Sequence, residues 1–315
     1  MSHPRVAAVD CGTNSIRLLV ADVDDDGRLV DVVRRTEVVR LGQGIDRTGV
    51  IASDAMERTL AMSREYADVC RRTGAERVRF VATSASRDAR NAGEFVEGVR
   101  AAFGDLDVSP EVVVGDTEAR LSFTGATGDL RALGLPGPYL VVDLGGGSTE
   151  LVRGTTDVEA GRSVDVGCVR MTERHLRSDP PTGAEVEGAR ADVRAALDEV
   201  EAVVPLDGVR VVVGLAGSIT TVTARALDLP RYDPERIHLA RVPAAEHLAA
   251  CHELLSMSRD DRAALPYMHP GRVDVIGAGA LVWAEVLGRV LDRSPQAEVV
   301  TSEHDILDGI ALSLL

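Results

Sequence analysis

VVDLGGGSTELV, Val141 to Val152, sets three consecutive glycines between Asp143 and Glu150 inside an otherwise strand-like apolar run. Glycine within a strand loses more entropy on ordering than any other residue and packs nothing, so the break needs a use. Without a Cβ, the backbone N–H groups of Gly145, Gly146 and Gly147 can converge on an anion at close range, and Ser148 adds a hydroxyl donor. A bare carboxylate in the same turn would repel phosphate. Asp143 and Glu150 therefore make sense beside such a loop when a cation such as Mg²⁺ lies between them and the anion. An ordinary glycine hairpin would not need the flanking acids.

The chain holds a second version of this stretch. VDCGTNSIRLLV (Val9 to Val20) and VDLGGGSTELVR (Val142 to Arg153) share Asp10/Asp143, Gly12/Gly145, Ser15/Ser148 and Leu18/Leu151, each pair 133 positions apart. The surroundings repeat as well. In the first half, strands are predicted at Val6 to Asp10, Arg17 to Val23 and on to about Leu41. A helix follows from Ser53, read as its N-cap, to Gly74, then strand RVRFVAT, a helix from about Arg87 to Phe103, strand EVVV and a helix from about Thr117. In the second half, strands at Tyr139 to Asp143, Thr149 to Arg153 and Val158 to Val166 lead into a helix over Pro181 to Val203. Strand VRVVVGLAGS, a helix after Ser218, further helices to about Asp292, strand AEVV and a last helix from Glu303 complete it. The Pro/Gly-rich LGLPGPY, Leu133 to Tyr139, marks the boundary. The fold class is α/β, built from two duplicated βββαβαβα domains.

Composition narrows the chemistry. At 315 residues with 45% apolar and only 3% aromatic residues, the core is built from Val, Leu and Ala. Net charge is −15, which argues against a general nucleic-acid binder. All 35 basic residues are Arg, so a Walker-A lysine, a Schiff-base lysine and a kinase strand lysine are excluded together. Phosphate handling must rest on backbone N–H groups, Arg and a metal. No apolar run reaches the length of a membrane span and the start lacks a signal-peptide layout, so a soluble, cytoplasmic protein is expected. Cys11, Cys70, Cys168 and Cys251 lie far apart and read as free buried thiols. The seven histidines form no metal motif, and His247 and His252, five apart, do not share a helix face; surface or supporting places are expected for them. GAGA, Gly277 to Ala280, reads as helix packing.

Paired Asp-Gly loops on duplicated domains resemble the superfamily of actin, sugar kinases and heat-shock ATPases. Within it, DCGTNSIRLLV, VATSASRDARN, GDTEARLSFTG, VVDLGGGSTELV and GLAGSITTVTA, in that order, resemble the exopolyphosphatase/guanosine pentaphosphate phosphatase family over nearly the whole chain, in its short two-domain form. The resemblance implies actin-like (ribonuclease H-like) domains with an interdomain cleft that closes during catalysis. Their spans would be 1–128 plus 302–315 and 129–301, the last helix crossing back onto the first domain. It implies that Glu118, at the start of a predicted helix where the dipole favours an ionised carboxylate, is the general base. Asp143 and Glu150 would act with it and hold Mg²⁺, or Mn²⁺ in its place, with Asp10 a weaker ligand. Phosphate would be met by Thr13, Asn14, Ser15, Gly145, Gly146, Gly147 and Ser148, and by Arg17, Arg87 and Arg170. Arg87 sits at a strand-to-helix junction, where guanidinium and helix N-terminus can serve one anion. Gly217 and Ser218, in the block Gly214 to Thr221, would meet a distal phosphate or guanosine, or simply pack tightly.

The expected activity is Mg²⁺-dependent release of terminal orthophosphate from inorganic polyphosphate. Guanosine pentaphosphate hydrolysis is the alternative, with a superfamily kinase or an ATP-binding non-enzyme more remote. Polyphosphate and guanosine pentaphosphate are the expected partners, with no nucleic acid and no membrane; a homodimer is left open.

Overall fold

Strand β1 (Arg5–Cys11) is apolar along its length apart from Arg5 and Asp10, and its residues from Val6 on are buried, the mark of a central strand covered on both faces. The computed structural model describes residues 4–315. After β1 come β2 (Ser15–Val23), β3 (Leu29–Val38), α1 (Ile45–Thr48), α2 (Ser53–Thr73), β4 (Arg77–Ala82), α3 (Ser84–Asp88), α4 (Ala92–Phe103), β5 (Glu111–Val112) and α5 (Gly115–Ala132). The sheet order is β3-β2-β1-β4-β5, with β2 antiparallel to both neighbours and β1, β4 and β5 parallel.

Alternate side chains of the central strands feed opposite faces. Ala7, Val9, Ile16 and Leu18 pack with Tyr66 and Cys70 of α2 and Phe95 and Phe103 of α4. Val6, Ala8, Leu19 and Ala21 pack with Ile306, Leu307 and Ile310 of the last helix, α13 (Ile306–Leu312).

The second sheet repeats the plan. Its elements are β6 (Tyr139–Leu144), β7 (Thr149–Gly154), β8 (Val158–Val164), α6 (Cys168–Arg174), α7 (Gly183–Glu201), β9 (Val211–Leu215), α8 (Ala216–Ala226) and α9 (Pro234–Ile237). Then follow β10 (Ala240–Arg241), α10 (Ala244–Ser256), α11 (Arg259–Ala263), α12 (Ile276–Arg293) and β11 (Glu298–Thr301). The order β10-β11-β9-β6-β7-β8 contains the first sheet's arrangement with one short strand added at the edge. Both sheets thus show the ribonuclease H-like topology of the actin-like class. The chain divides into two compact units: residues up to Gly125 together with Ile306–Leu315 in unit 1, and Ala126–Asp305 in unit 2. The division falls inside α5, earlier than the Pro/Gly-rich connector. In unit 2, Leu140, Val142 and Leu151 pack with Trp283 of α12, Val193 of α7 and Leu254 of α10.

Several boundaries differ from the sequence reading for identifiable reasons. Ser53 is the first helical residue of α2; the N-cap position belongs to Ala52, which makes no side-chain cap. At the other end Gly74 closes the helix at φ 70°, giving its N–H to Arg71 and Cys70 carbonyls. The helix expected over Arg87 to Phe103 is broken between α3 and α4, where Asn91 exchanges hydrogen bonds with the Ile51 backbone (2.9 and 3.1 Å). Helix α7 starts at Gly183 behind a capping box of Thr182 and Glu185. The seven-residue α6 was not expected at all, being too short to show a helical period.

Candidate active site

The glycine run forms the turn between β6 and β7, whose register sets Asp143 directly opposite Glu150. Gly145 N–H closes the turn on Ser148 O (3.0 Å). The carbonyls of the turn are all taken from one side. Gly145 O accepts Cys168 N–H (3.0 Å), Gly146 O accepts Val169 and Arg170 N–H (2.8 and 3.1 Å), and Gly147 O accepts Arg170 Nε (2.8 Å). A trans peptide points its N–H opposite its carbonyl. The N–H groups of Gly146, Gly147 and Ser148 therefore turn away from α6, three in succession, as an anion-binding nest requires. Arg170, predicted as a phosphate contact, here braces the loop through its Nε.

Unit 1 carries the same construction between β1 and β2. Gly12 N–H bonds Ser15 O (2.9 Å); Thr13 O accepts Gly42 N–H (2.8 Å); Asn14 O accepts Val39 and Arg40 N–H (3.1 and 2.8 Å). Asn14 and Ser15 N–H are thereby turned away from the 39–42 segment. The charged pair beside the loop is different. Asp10 stands opposite Arg17, and Asp10 Oδ2 accepts both Nε (2.9 Å) and Nη2 (2.7 Å) of that guanidinium. Asp143 stands opposite another acid. Asp143 and Glu150 are both buried, and Glu150 Oε1 accepts the Ser163 hydroxyl at 2.6 Å. Like charges in directly opposed positions destabilise a sheet unless something compensates them. The oxygens of Asp143 and Glu150 suit a hard divalent cation, and Asp10 differs from them in holding a guanidinium through its Oδ2.

Glu118 lies in the first turn of α5 and is 7% exposed. Arg87, in α3, gives Nη1 to Glu118 Oε2 and to Val113 O, both at 3.2 Å, so the two residues that sequence reading assigned separately to base and anion are in contact. Helix α3 is itself tied to the loop strand, because Thr83 N–H bonds Cys11 O (3.1 Å).

The Gly214 to Thr221 block is the β9–α8 junction. Ala216 there has φ 67°, a conformation rare for a residue with a side chain. Ser218 is buried against Gly279 and Cys168, the residue whose N–H supports Gly145. The Arg272 guanidinium lies against Gly217, over the Tyr232 ring (5.8 Å) and 3.4 Å from Thr221 Oγ1. Sequence reading missed Arg272, which sits in the pattern-free PGRVD segment. Tyr232 donates to Glu303 Oε1 (2.6 Å), whose carboxyl is pushed above its usual range by burial.

Three residues from α5, the α9–β10 loop and the β11–α13 loop converge where no histidine cluster was expected: Asp129, His238 and His304. Their candidate ligand atoms lie within 4.8 Å of one another. Asp129 Oδ2 lies 3.6 Å from His238 Nε2 and is hydrogen-bonded to His304 Nδ1 at 2.7 Å, and the two imidazoles hold its carboxyl far below the usual range. His238 Nδ1 accepts the Glu303 N–H at 3.3 Å, which leaves the proton of a neutral ring on Nε2, facing Asp129. A metal-bound histidine normally donates from its second nitrogen, so the trio suits a carboxylate shared by two imidazoles better than an ion. Spacing in the chain gave no hint of it.

Residues 19–314 match the model of the Ppx/GppA phosphatase family. A Mycobacterium tuberculosis protein, Exopolyphosphatase 2, is 51% identical over 100% of this chain and 99% of its own length. The crystal structure of an exopolyphosphatase-like protein superposes with a TM-score of 0.94 at 43% identity, covering 100% of this chain and 98% of the other. A guanosine-5'-triphosphate,3'-diphosphate pyrophosphatase of Vibrio cholerae is 32% identical over 70% of this chain and 43% of its own length. Among the described residues no helix is long and apolar enough to cross a membrane.

Proposed function

The chain belongs to the Ppx/GppA phosphatase family, and from that premise we propose that it is an exopolyphosphatase, hydrolysing the terminal phosphoanhydride bond of inorganic polyphosphate. The observation that carries the reading is the turn with three N–H groups aimed one way beside two opposed buried carboxylates. Mg²⁺, with Mn²⁺ as a substitute, would be held by Asp143 and Glu150, where it would offset the charge of phosphate oxygens.

Glu118 takes a proton from water as the water oxygen attacks the terminal phosphorus. The new P–O bond replaces the bridging P–O bond, orthophosphate is released, and the electron pair leaves on the shortened chain. Arg87 fixes the Glu118 carboxylate by the 3.2 Å contact and offers the rest of its guanidinium to phosphate oxygens. The N–H groups of Gly146, Gly147 and Ser148 form one donor set suited to phosphate oxygens as charge accumulates, and those of Asn14 and Ser15 form a second set of the same kind. Thr13 supports this set through its carbonyl and Arg170 through Gly147.

The Vibrio cholerae relative favours guanosine pentaphosphate as the second substrate, since the same step serves either leaving group. Against a dedicated nucleoside pocket stands Arg272, whose guanidinium covers Gly217; a cation there suits a distal phosphate. The reading includes a cytoplasmic location for the enzyme.

The test is orthophosphate release from short polyphosphate, long polyphosphate and guanosine pentaphosphate, with and without chelator. Mg²⁺-dependent release with kcat/KM highest on polyphosphate is the expected result. A preference for guanosine pentaphosphate would install the second reading, and no release from any of the three would refute both.

A further inference from the structure

The two anion loops are backed by the segments that follow the third strand of each sheet, and we infer that Gly42 and Gly167 are positioning residues whose absent side chains set the aim of the loop N–H groups. This rests on the phosphohydrolase reading above. Gly167 has φ −104° and ψ 165°, extended backbone open to any residue, and Gly42 does not lie at positive φ. Neither glycine is needed for its conformation. Each is needed for space.

A Cβ on Gly167 would overlap the carbonyl of Gly146 and come within 2.5 Å of Gly147 N. Those atoms are the middle of the nest, so any relief must move the loop itself. A Cβ on Gly42 would overlap Thr13 Cγ2 and lie 3.2 Å from Thr13 O, the atom that accepts the Gly42 N–H at 2.8 Å. In unit 1 the worst obstacle is thus one methyl group of a side chain; in unit 2 it is backbone. The recurrence of the same device after β3 and after β8, with different neighbours, argues for a shared purpose over accidental packing.

The difference between the two contacts supplies a decisive experiment. Steady-state orthophosphate release from polyphosphate would be measured for wild type, T13S, G42A, the T13S/G42A double variant, G167A and T13S/G167A, with thermal melting of each. Misplacing anion donors by a fraction of an ångström to one ångström is expected to lower kcat/KM by about 10- to 100-fold in G42A and G167A. Removing the Thr13 methyl should shrink the G42A effect, measured against T13S, to about twofold, while the G167A effect persists in the T13S background. Wild-type kinetics in both alanine variants would overturn the inference, as would an equal G42A defect with and without the Thr13 methyl. If G42A does not fold, recovery of folded, active T13S/G42A supports it; failure of both to fold makes Gly42 a purely structural residue and overturns it. Absence of turnover in the wild type would instead strike the proposed function.

Discussion

Positions 17 and 150 occupy the same place in the two loops, opposite Asp10 and Asp143, yet one is Arg and the other Glu. That single change separates the two loops: the unit 1 aspartate holds the guanidinium of its own neighbour, whereas the unit 2 aspartate faces a second carboxylate, the pair proposed above to hold the cation. Glu150→Gln is expected to raise the Mg²⁺ concentration for half-maximal rate by about tenfold or more, while Asp10→Asn leaves that concentration within about twofold. A metal titration of both variants checks this, and equal shifts would make Asp10 as strong a ligand as Glu150. Another residue-scale prediction concerns His247, fully buried with Nδ1 accepting Trp283 Nε1–H at 3.3 Å. Burial lowers its pKa from 6.5 to about 4. The unfolded chain therefore binds a proton that the folded one refuses, and stability falls as pH drops from about 6.5 toward 4, levelling below. The loss is about 3 kcal/mol. His247→Asn keeps an acceptor for the indole and should remove this slope; denaturant midpoints for both proteins between pH 8 and 4 that run parallel would show that His247 does not cause it.

At the scale of elements, α13 illustrates how a seven-residue helix holds its place. Ile306, Leu307 and Ile310 enter the second core of unit 1, Arg34 of β3 reaches the buried Asp308 carboxylate (2.5 and 3.2 Å), and Gly309 lies on the Leu121 backbone of α5. Ile310→Ala is expected to cost about 2–5 kcal/mol and Gly309→Ala about 1–3 kcal/mol, the latter with lowered activity because it pushes on the helix that carries Glu118. Calorimetry and turnover on the two variants check both parts, and an unperturbed melt for Ile310→Ala would contradict the packing. Such elements also show what could be read in advance. Long strands rich in Val and Leu, and α2 with its terminal glycine, announce themselves by period and punctuation. The break between α3 and α4 does not, because it depends on Asn91 meeting Ile51, forty positions away.

For the whole molecule, the duplication and its strand order were legible because two aspartate-glycine turns at constant separation outweigh many uncertain boundaries. The two loops as turns, and the place of Glu118 at the start of a helix, were legible through their motifs. What supports them was not: α6 presenting its N–H groups to the turn, Gly42 and Gly167 backing it, Arg272 on Gly217, and the Asp129, His238 and His304 trio all arise from contacts between distant segments with no local signature. The brace that Arg170 supplies was hidden for the same reason, since only the folded chain shows its Nε on Gly147 O.

The central claim is that this fold positions Glu118 to activate water against a bound polyphosphate end. The most direct measurement is turnover and polyphosphate binding of Glu118→Gln beside the wild type at saturating Mg²⁺. The account predicts a kcat lower by about 10²–10⁴-fold with affinity largely retained. Wild-type kcat in the variant, with the protein folded and saturated, would contradict it.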